Sequence, residues 1–270
     1  MKVAFQGEPG AYSEQAVFDY FGAVETKPCE SFDVVFDSVI SDACEAGLIP
    51  IENSLAGSIH QNYDLLLRHD LHIIGEHLLR VQHWLIALPG VKKEDIKKVV
   101  SHPQALGQCA AYLRNRGIKP ESVYDTAGSV KMLKESGARD TAAIASRRAA
   151  ELYEMQILEE GIEDNPENYT RFLAISKTTV QPEGEAKTSI VFTLKNQPGA
   201  LFKALSVFAL RDIDLTKIES RPLQGQPWEY LFYIDFIGAA QEETARKALD
   251  HLGEYALMLR VLGSYPRYPR

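Results

Sequence analysis

The stretch of residues 96–108, Ile-Lys-Lys-Val-Val-Ser-His-Pro-Gln-Ala-Leu-Gly-Gln, gives the clearest indication of the fold. Its apolar run, Ile96–Val100, predicts a buried strand. The sequence Ser101-His102-Pro103-Gln104 is typical of a capping box with proline in the first turn, so we expect a helix over Pro103–Leu113. A strand that passes directly into a helix is the repeating unit of an α/β fold.

The same unit recurs through the first 175 residues and predicts an α/β fold with a mostly parallel sheet. The predicted strands are Val3–Phe5, Val24–Lys27, Leu48–Ile51, a strand-like region His72–Leu88, Ser122–Tyr124, Ala142–Ala145 and Arg171–Ser176. The predicted helices are Ser13–Phe21, Phe32–Ala43, Ile59–Leu67, Ser129–Lys134 and Arg147–Tyr153. The late return of a strand suggests two lobes with a crossing connection.

A second domain follows a polar stretch, Lys177–Lys187, that contains proline and glycine and is typical of a linker. Beyond it, the pattern predicts the order β-α-β-β-α-β of a ferredoxin-like domain. The elements are a strand at Ile190–Leu194, a helix at Pro198–Ala209, strands at Ile213–Pro222 and Trp228–Ile237 joined by a turn at Gln224–Pro227, a helix at Glu242–Leu252 and a strand at Leu257–Leu262.

Composition excludes several functional classes. The 270 residues include 29 Lys+Arg and 37 Asp+Glu, a formal net charge of −8, which argues against nucleic-acid or anionic-membrane partners. The longest apolar run, near Trp84–Leu88, is far below the ~20 residues of a membrane span. The beginning, Met1–Gly7, lacks the apolar region of a signal peptide. Cys29, Cys44 and Cys109 fit neither a disulfide framework nor a zinc motif, so we expect buried thiols in a cytoplasmic protein.

Hydroxyl and amide residues follow several strands, at the points where the next helices begin. For each position alone, a good helix N-cap is the simplest interpretation. Together, however, helix N-termini at the carboxyl ends of parallel strands would suit a carboxylate-bearing ligand. The candidate binding residues are Ser13, Asn53, Ser54, Ser101, Gln104 and Thr126.

Other residues add weaker indications. Gly7 and Gly10 predict a tight turn that brings backbone close to a small ligand. Arg171 could bind a carboxylate in a bidentate pair, although a surface arginine at a strand end is the commoner case. Five histidines match no metal motif and are interpreted as surface or strand residues: His60, His69, His72, His77 and His83.

Four motifs, in this order, resemble those of the prephenate dehydratase family. They are Gly7-x-x-Gly10-Ala11-Tyr12-Ser13, Pro50-Ile51-Glu52-Asn53-Ser54-Leu55-Ala56-Gly57, Ser101-His102-Pro103-Gln104-Ala105-Leu106 and Asn168-Tyr169-Thr170-Arg171-Phe172. Two further motifs, Gly199-Ala200-Leu201 and Glu219-Ser220-Arg221-Pro222, resemble the phenylalanine-binding motifs of the ACT regulatory domain fused to that enzyme. The resemblance implies the monofunctional form, with no chorismate mutase segment in front.

The resemblance also implies a fold and its bounds. We expect a two-lobed, periplasmic-binding-protein-like catalytic domain over residues 1–180, with lobe 1 at about 1–75 and 165–180 and lobe 2 at about 76–164. The ACT domain is expected over 187–265.

The implied reaction converts prephenate to phenylpyruvate, with loss of CO₂ and the ring hydroxyl, in L-phenylalanine biosynthesis. Thr170 is expected to help the hydroxyl leave, and Phe172 to pack near the ring, although a core role for Phe172 is comparable. Arg171, Asn53 and Ser54 are expected to hold the pyruvyl carboxylate, because its charge persists into the transition state. No cofactor and no metal are expected.

The ACT resemblance implies feedback inhibition by L-phenylalanine and a homodimer or homotetramer formed through this domain. The implied effector-binding residues are Asn196, Gly199, Ala200, Leu201, Glu219, Ser220 and Arg221.

Two alternatives stay open at this point. One is arogenate dehydratase, which performs the same chemistry on the amino form of the substrate. The other is a non-catalytic cytosolic amino-acid sensor, which would not need Thr170 at a leaving group.

Overall fold

The computed structural model describes residues 1–223 and 230–269. The chain divides into two compact units. The first comprises Met1–Tyr63 and His77–Phe172, and the second Asp64–Glu76 and Leu173–Arg270. The predicted α/β class, followed by a βαββαβ domain, is confirmed by the element order.

The elements up to residue 180 mostly alternate between strands and helices, as the sequence predicts, but β4 and β10 were not predicted. The first are β1 (Lys2–Gln6), α1 (Tyr12–Phe21), β2 (Glu25–Cys29), α2 (Phe32–Ile40), β3 (Ala46–Asn53), β4 (Gly57–Ser58), α3 (His60–Arg68) and β5 (His72–Arg80). The next are β6 (Trp84–Ala87), a 3-10 turn (Lys93–Asp95), β7 (Lys98–Ser101), α4 (Pro103–Gln108), α5 (Ala110–Arg116), β8 (Lys119–Ser122), α6 (Thr126–Ser136), β9 (Thr141–Ala145), α7 (Arg147–Leu152), β10 (Gln156–Glu159) and β11 (Tyr169–Ser176).

These strands form two sheets. The first has the order β2-β1-β3-β11-β5, with the short β4 paired to β3, and β1 runs parallel to both of its neighbours. The second has the order β10-β6-β9-β7-β8. In it, β7 is parallel to β8 and β9, whereas β6 is antiparallel to β9 and β10. The expectation of a mostly parallel sheet is therefore wrong for the second sheet.

The second sheet is covered on both faces, which explains the composition of its central strand. All five residues of β9 are buried. Ala142 and Ile144 belong to the apolar cluster that contains α4 and α5 residues, and Ala143 and Ala145 to the cluster that contains α6 and α7 residues. A strand buried on both faces shows a continuous apolar run rather than alternation.

Three predicted elements need correction. His72–Leu88 is two strands, because the Val81 N–H donates to the Asn168 carbonyl and the His83 N–H donates to the Glu163 carboxylate instead of continuing a ladder. Pro103–Leu113 is two helices with a break at Cys109, whose φ of −117° and ψ of 18° are not helical. The strand predicted at Ser122–Tyr124 lies at Lys119–Ser122, in register with β7.

The second unit contains the βαββαβ domain. Its elements are β12 (Ala186–Leu194), α8 (Ala200–Ala209), β13 (Leu215–Pro222), β14 (Tyr230–Ile237), α9 (Glu243–Tyr255) and β15 (Ala256–Pro266). The antiparallel sheet has the order β13-β14-β12-β15, and both helices pack in one apolar cluster with it. The linker is shorter than predicted, because β12 begins at Ala186. The predicted turn Gln224–Pro227 and the first two residues of the strand predicted at Trp228–Ile237 lie outside the described residues.

A segment from early in the chain, Asp64–Glu76, packs within this second unit. The Arg221 Nη2 lies 2.9 Å from the Asp64 Oδ2, and the Lys187 Nζ lies 2.6 Å from the Glu76 Oε1. The Arg260 Nη2 donates to the His69 carbonyl oxygen at 2.8 Å. The compact units thus divide the chain differently from the predicted lobes, whose bounds stay a prediction.

Two further findings concern the cysteines and the length of the apolar helices. Cys29, Cys44 and Cys109 are free and buried, as predicted. Among the described residues, no helix combines the length and the apolar character that crossing a bilayer requires.

Candidate active site

Two adjoining cavities in the first compact unit form a cleft where several helices begin. Their volumes are about 330 and 180 Å³. The residues that line both are Tyr12, Ser13, His102, Gln104 and Thr126. The larger cavity also contacts the Gly7 and Gly10 turn, and the smaller one contains Thr170. The helix ends and the Thr170 motif therefore share one site.

The predicted site residues divide into two groups. Six of them line the cleft: Ser13, Asn53, Gln104, Thr126, Thr170 and Phe172. Ser54, Ser101 and Arg171 line neither cavity. Phe172 is also 2% exposed, so it serves the core and the cleft together.

Asn53 connects the end of β3 to the start of β11. Its Nδ2 lies 3.0 Å from the Thr170 Oγ1, 2.8 Å from the Asn168 Oδ1 and 3.1 Å from the Tyr169 carbonyl oxygen. Its Oδ1 accepts from the N–H groups of Leu55 and Ala56 at 3.0 and 2.9 Å. All its polar atoms thus have protein partners, so Asn53 is better placed to position Thr170 than to bind a carboxylate.

The hydrogen bond from Asn53 has a chemical consequence for Thr170. A hydroxyl group has one hydrogen to donate and two lone pairs to accept with. Because Asn53 occupies one lone pair of the Thr170 oxygen, the Thr170 hydrogen stays available for a group in the cleft. Thr170 is thereby presented as a hydrogen-bond donor.

Ser54 and Ser101 have structural hydrogen bonds. The Ser54 hydroxyl donates to the Glu167 carbonyl oxygen at 2.8 Å and accepts from the Tyr169 N–H at 2.9 Å. Ser101 is fully buried, and its hydroxyl donates to the Ile144 carbonyl oxygen at 2.6 Å. The predicted capping box is wrong, because His102 is the N-cap and its Nδ1 accepts from the Gln104 N–H.

Arg171 lies outside the cleft for a simple geometric reason. Successive side chains of a strand point to opposite faces. Thr170 and Phe172 both line the cleft, so Arg171, which lies between them on β11, belongs to the other face. The expectation that Arg171 holds a substrate carboxylate therefore finds no support in this geometry.

Helix N-termini supply the positive potential instead. The cleft contains the beginnings of α1 at Tyr12 and α6 at Thr126. The N-cap of α1, Ala11, makes no side-chain cap, which leaves backbone N–H groups of its first turn available. Such N–H groups, together with the helix dipole, attract carboxylates. Among the residues that the structure describes, no lysine or arginine lines either cavity.

The Gly10 turn packs against helix α7 as well as lining the cleft. Gly10 has a φ of 90°, and a Cβ on it would lie 2.9 Å from the Ala149 Cα. The Ser146 hydroxyl, at the N-cap of α7, donates to the Gly10 carbonyl oxygen at 2.5 Å. Close helix packing thus explains the glycine in addition to the predicted approach of a ligand.

Sequence analysis missed a polar network in the smaller cavity. The His83 Nδ1 lies 2.8 Å from the Tyr12 hydroxyl, and its Nε2 lies 2.7 Å from the Gln108 Oε1. Burial lowers the pKa of His83 and raises that of Tyr12, so the network is neutral near pH 7. Interpreting His83 as a surface or strand residue was wrong, since it is 2% exposed. The one available indication was the i, i+4 spacing of Gln104 and Gln108, which places both on one helix face.

Comparison with known protein families agrees with the cleft geometry. The family model described as prephenate dehydratase matches residues 3–180, and that of the ACT domain matches residues 188–254. The chain belongs to the prephenate dehydratase family. A relative named arogenate dehydratase/prephenate dehydratase 2, chloroplastic, from Arabidopsis thaliana is 50% identical over 277 residues, which cover 98% of this chain and 73% of the relative.

Solved structures of similar chains include one with an amino acid bound. A prephenate dehydratase from Arthrobacter aurescens, described in complex with L-Phe, has a TM-score of 0.90 and 33% identity, with 99% of this chain and 90% of the other covered. A protein described as GqqA, a novel type of quorum quenching acylase, has a TM-score of 0.94 and 35% identity, with 100% and 99% covered.

The ACT domain of this dehydratase carries a cavity of about 120 Å³ near the predicted effector motif. Asn196, Ala200 and Leu201 line it, together with Tyr230 and Phe232 of β14. Gly199, with a φ of 79°, is the N-cap of α8 directly beside them. Three of the predicted effector residues therefore share a cavity at the N-terminus of α8.

The second predicted effector motif lies on β13, an edge strand of the ACT sheet. Ser220 pairs with Phe232, which lines the cavity, whereas Glu219 and Arg221 alternate to the other face of the sheet. Arg221 is paired there with Asp64. One copy of the chain thus does not bring all seven predicted residues to one point.

Proposed function

We propose that the cleft removes CO₂ and the ring hydroxyl of prephenate to form phenylpyruvate. The observation that carries the proposal is the Asn53–Thr170 pair, which presents a hydrogen-bond donor in a cleft lined by helix N-termini. Arogenate, the amino counterpart of prephenate, is a second candidate, because the 50%-identical relative carries both activities in its name.

The proposed step balances in atoms and charge. The bond from the ring to its carboxylate breaks, and its electron pair enters the ring as the carbon–oxygen bond to the hydroxyl breaks. The hydroxide takes up one proton and leaves as water, so prephenate and H⁺ give phenylpyruvate, CO₂ and H₂O. A hydrogen bond from Thr170 stabilises the charge that develops on the leaving oxygen.

The carboxylates of the substrate have different requirements. The ring carboxylate leaves as neutral CO₂, so tight binding of its charge would oppose the reaction. The side-chain carboxylate keeps its charge, and we assign it to the uncapped N-terminus of α1, with Ser13 and Thr126 beside it. This assignment replaces the one to Arg171, Asn53 and Ser54.

The activity has a direct test. Phenylpyruvate absorbs in the ultraviolet, so we expect its absorbance to appear when prephenate is added to the purified protein. An amino-acid sensor without catalytic activity would bind a ligand and produce no such absorbance. Absence of turnover on both prephenate and arogenate would contradict the proposed function.

We also propose feedback inhibition by L-phenylalanine at an ACT site shared between two copies of the chain. The division of the effector residues between two sheet faces supports a homodimer or homotetramer, because a second copy can supply the missing face. The exposed apolar residues Phe202 on α8 and Leu210 at its C-cap, at 76% and 81%, offer a surface for it. The three buried free cysteines support a reducing compartment, the cytoplasm.

Gly199→Val is expected to raise the concentration of L-phenylalanine needed for half-inhibition by about tenfold or more. Valine is strained at a φ of 79°, so the first turn of α8 would shift. Its N–H groups would then no longer point at the effector carboxylate, which weakens binding of the effector. Inhibition curves, each scaled to the uninhibited rate of the same variant, measure the effect. Gly184→Val is the matched control, since Gly184 has a φ of 77° and equally open surroundings. Equal inhibition of the two variants would contradict this site.

A further inference from the structure

One acidic side chain stands out in the cleft. Of the described residues that line the two cavities, Asp125 is the sole aspartate or glutamate, and no lysine or arginine accompanies it. A carboxylate repels a dianion such as prephenate, and this repulsion grows as water is excluded from a cleft. The presence of Asp125 therefore conflicts with a site built for anionic groups alone.

The helix cap explains only part of the role of the Asp125 charge, because the dipole of α6 attracts it modestly. Its Oδ1 accepts from the Gly128 N–H at 2.6 Å and so caps α6. Asparagine caps a helix as well as aspartate does, with the same oxygen and without the charge. Within the described residues, the second oxygen, Oδ2, makes no hydrogen bond to the protein. Beyond the attraction of the carboxylate to the α6 dipole, its second oxygen thus has no hydrogen-bond partner in the described protein.

A cation in the substrate could pair with the Asp125 carboxylate. Arogenate carries an ammonium group where prephenate carries a keto oxygen, next to the side-chain carboxylate. With that carboxylate at the N-terminus of α1, its neighbouring group would face the α6 cap, Asp125, which lines the same cavity. A charge-assisted hydrogen bond from an ammonium to Oδ2 would be favourable, whereas a keto oxygen offers no donor.

We propose that Asp125 is a specificity-determining residue that recognises the substrate ammonium group and makes arogenate the preferred substrate over prephenate. This inference rests on the proposed dehydratase function, with the side-chain carboxylate bound as described above. Asp125 acts on the choice between substrates, and Thr170 acts on the leaving hydroxyl of both.

Asp125→Asn tests the proposal, because it removes the charge and keeps the cap. The measurement is kcat/KM on arogenate, followed as L-phenylalanine formed, and on prephenate, followed as phenylpyruvate formed. We expect the wild-type protein to favour arogenate. We expect the ratio of the two values to fall by about tenfold or more in the variant, as loss of a hydrogen bond between charged groups predicts. The melting temperature checks that the cap is retained.

Glu135→Gln is the matched control. It removes one negative charge from the same helix, α6, at an exposed position that lines neither cavity. The ratio should stay at the wild-type value in this variant. A ratio in Asp125→Asn equal to that of the wild type, or an equal loss on both substrates, would overturn the role of Asp125 while leaving the dehydratase intact. Absence of activity on both substrates in the wild-type protein would instead overturn the proposed function.

Discussion

Replacing Thr170 by alanine is expected to lower kcat by about 10²–10³-fold, the usual effect of removing one donor from a developing oxyanion. The hydroxyl group is a poor leaving group, and Thr170 offers a hydrogen bond to it because the Asn53 amide occupies one of the threonine lone pairs. Rates under saturating substrate, on prephenate and on arogenate, measure the loss.

Thr170→Ser is the matched control, since it keeps the hydroxyl and removes one methyl group. We expect it to retain most of the activity that alanine loses. Substrate affinity, measured by equilibrium binding, should survive in both variants, because the N-terminus of α1, which holds the carboxylate, is unchanged. A kcat of Thr170→Ala within a few fold of the wild-type value would contradict the role of Thr170.

The second large effect is structural and concerns Gly263. A Cβ at this position would lie 2.9 Å from the carbonyl carbon of Ile73 and nearer still to its oxygen. Because the neighbour is backbone, no side-chain rotation relieves the clash, and β15 and β5 would have to separate. We expect Gly263→Ala to lower the free energy of unfolding by about 3 kcal/mol, at the upper end of the usual range for overpacking.

Thermal unfolding of Gly263→Ala and Gly253→Ala gives a matched comparison. Gly253 lies within α9 and has open space around its position, so alanine is expected to stabilise the helix by about 0.5–1 kcal/mol. The two substitutions add the same methyl group and should shift the melting temperature in opposite directions. Equal melting temperatures would show that the segment around Ile73 does not pack tightly against Gly263.

Much of the fold follows from local patterns in the sequence. The alternation of apolar runs with capped helices predicts the α/β part, and the βαββαβ order of the last 80 or so residues is observed with shifted element ends. The element predictions that were wrong concern residues whose hydrogen-bond partners are distant in the chain. The break at residues 81–83 arises because the backbone there bonds to Asn168 and Glu163, at least 80 positions later in each pair.

The candidate site was predicted in part, and the placement of Arg171 at the ligand stays a prediction that the cleft geometry does not support. Thr170, Arg171 and Phe172 were all placed at the ligand, although strand alternation already separates Arg171 from its two neighbours. Ser101 looked like a cap, whereas its burial at the end of β7 became visible only when the hydrogen bond to Ile144 was known. Asp125 was passed over, since a capping aspartate is ordinary in a sequence.

By itself, the sequence determined the α/β class of the first part, the βαββαβ order of the second, the division into a dehydratase part and an ACT part, and the family. These depend on residues close together in the chain, where spacing, capping and motif order act. Only the tertiary structure decided which polar groups meet: Asn53 with Thr170, 117 positions apart, His83 with Tyr12 and Gln108, and the segment 64–76 with the ACT sheet. The physical reason is that such contacts depend on how strands are ordered within each sheet and on which face each side chain occupies, neither of which local sequence encodes.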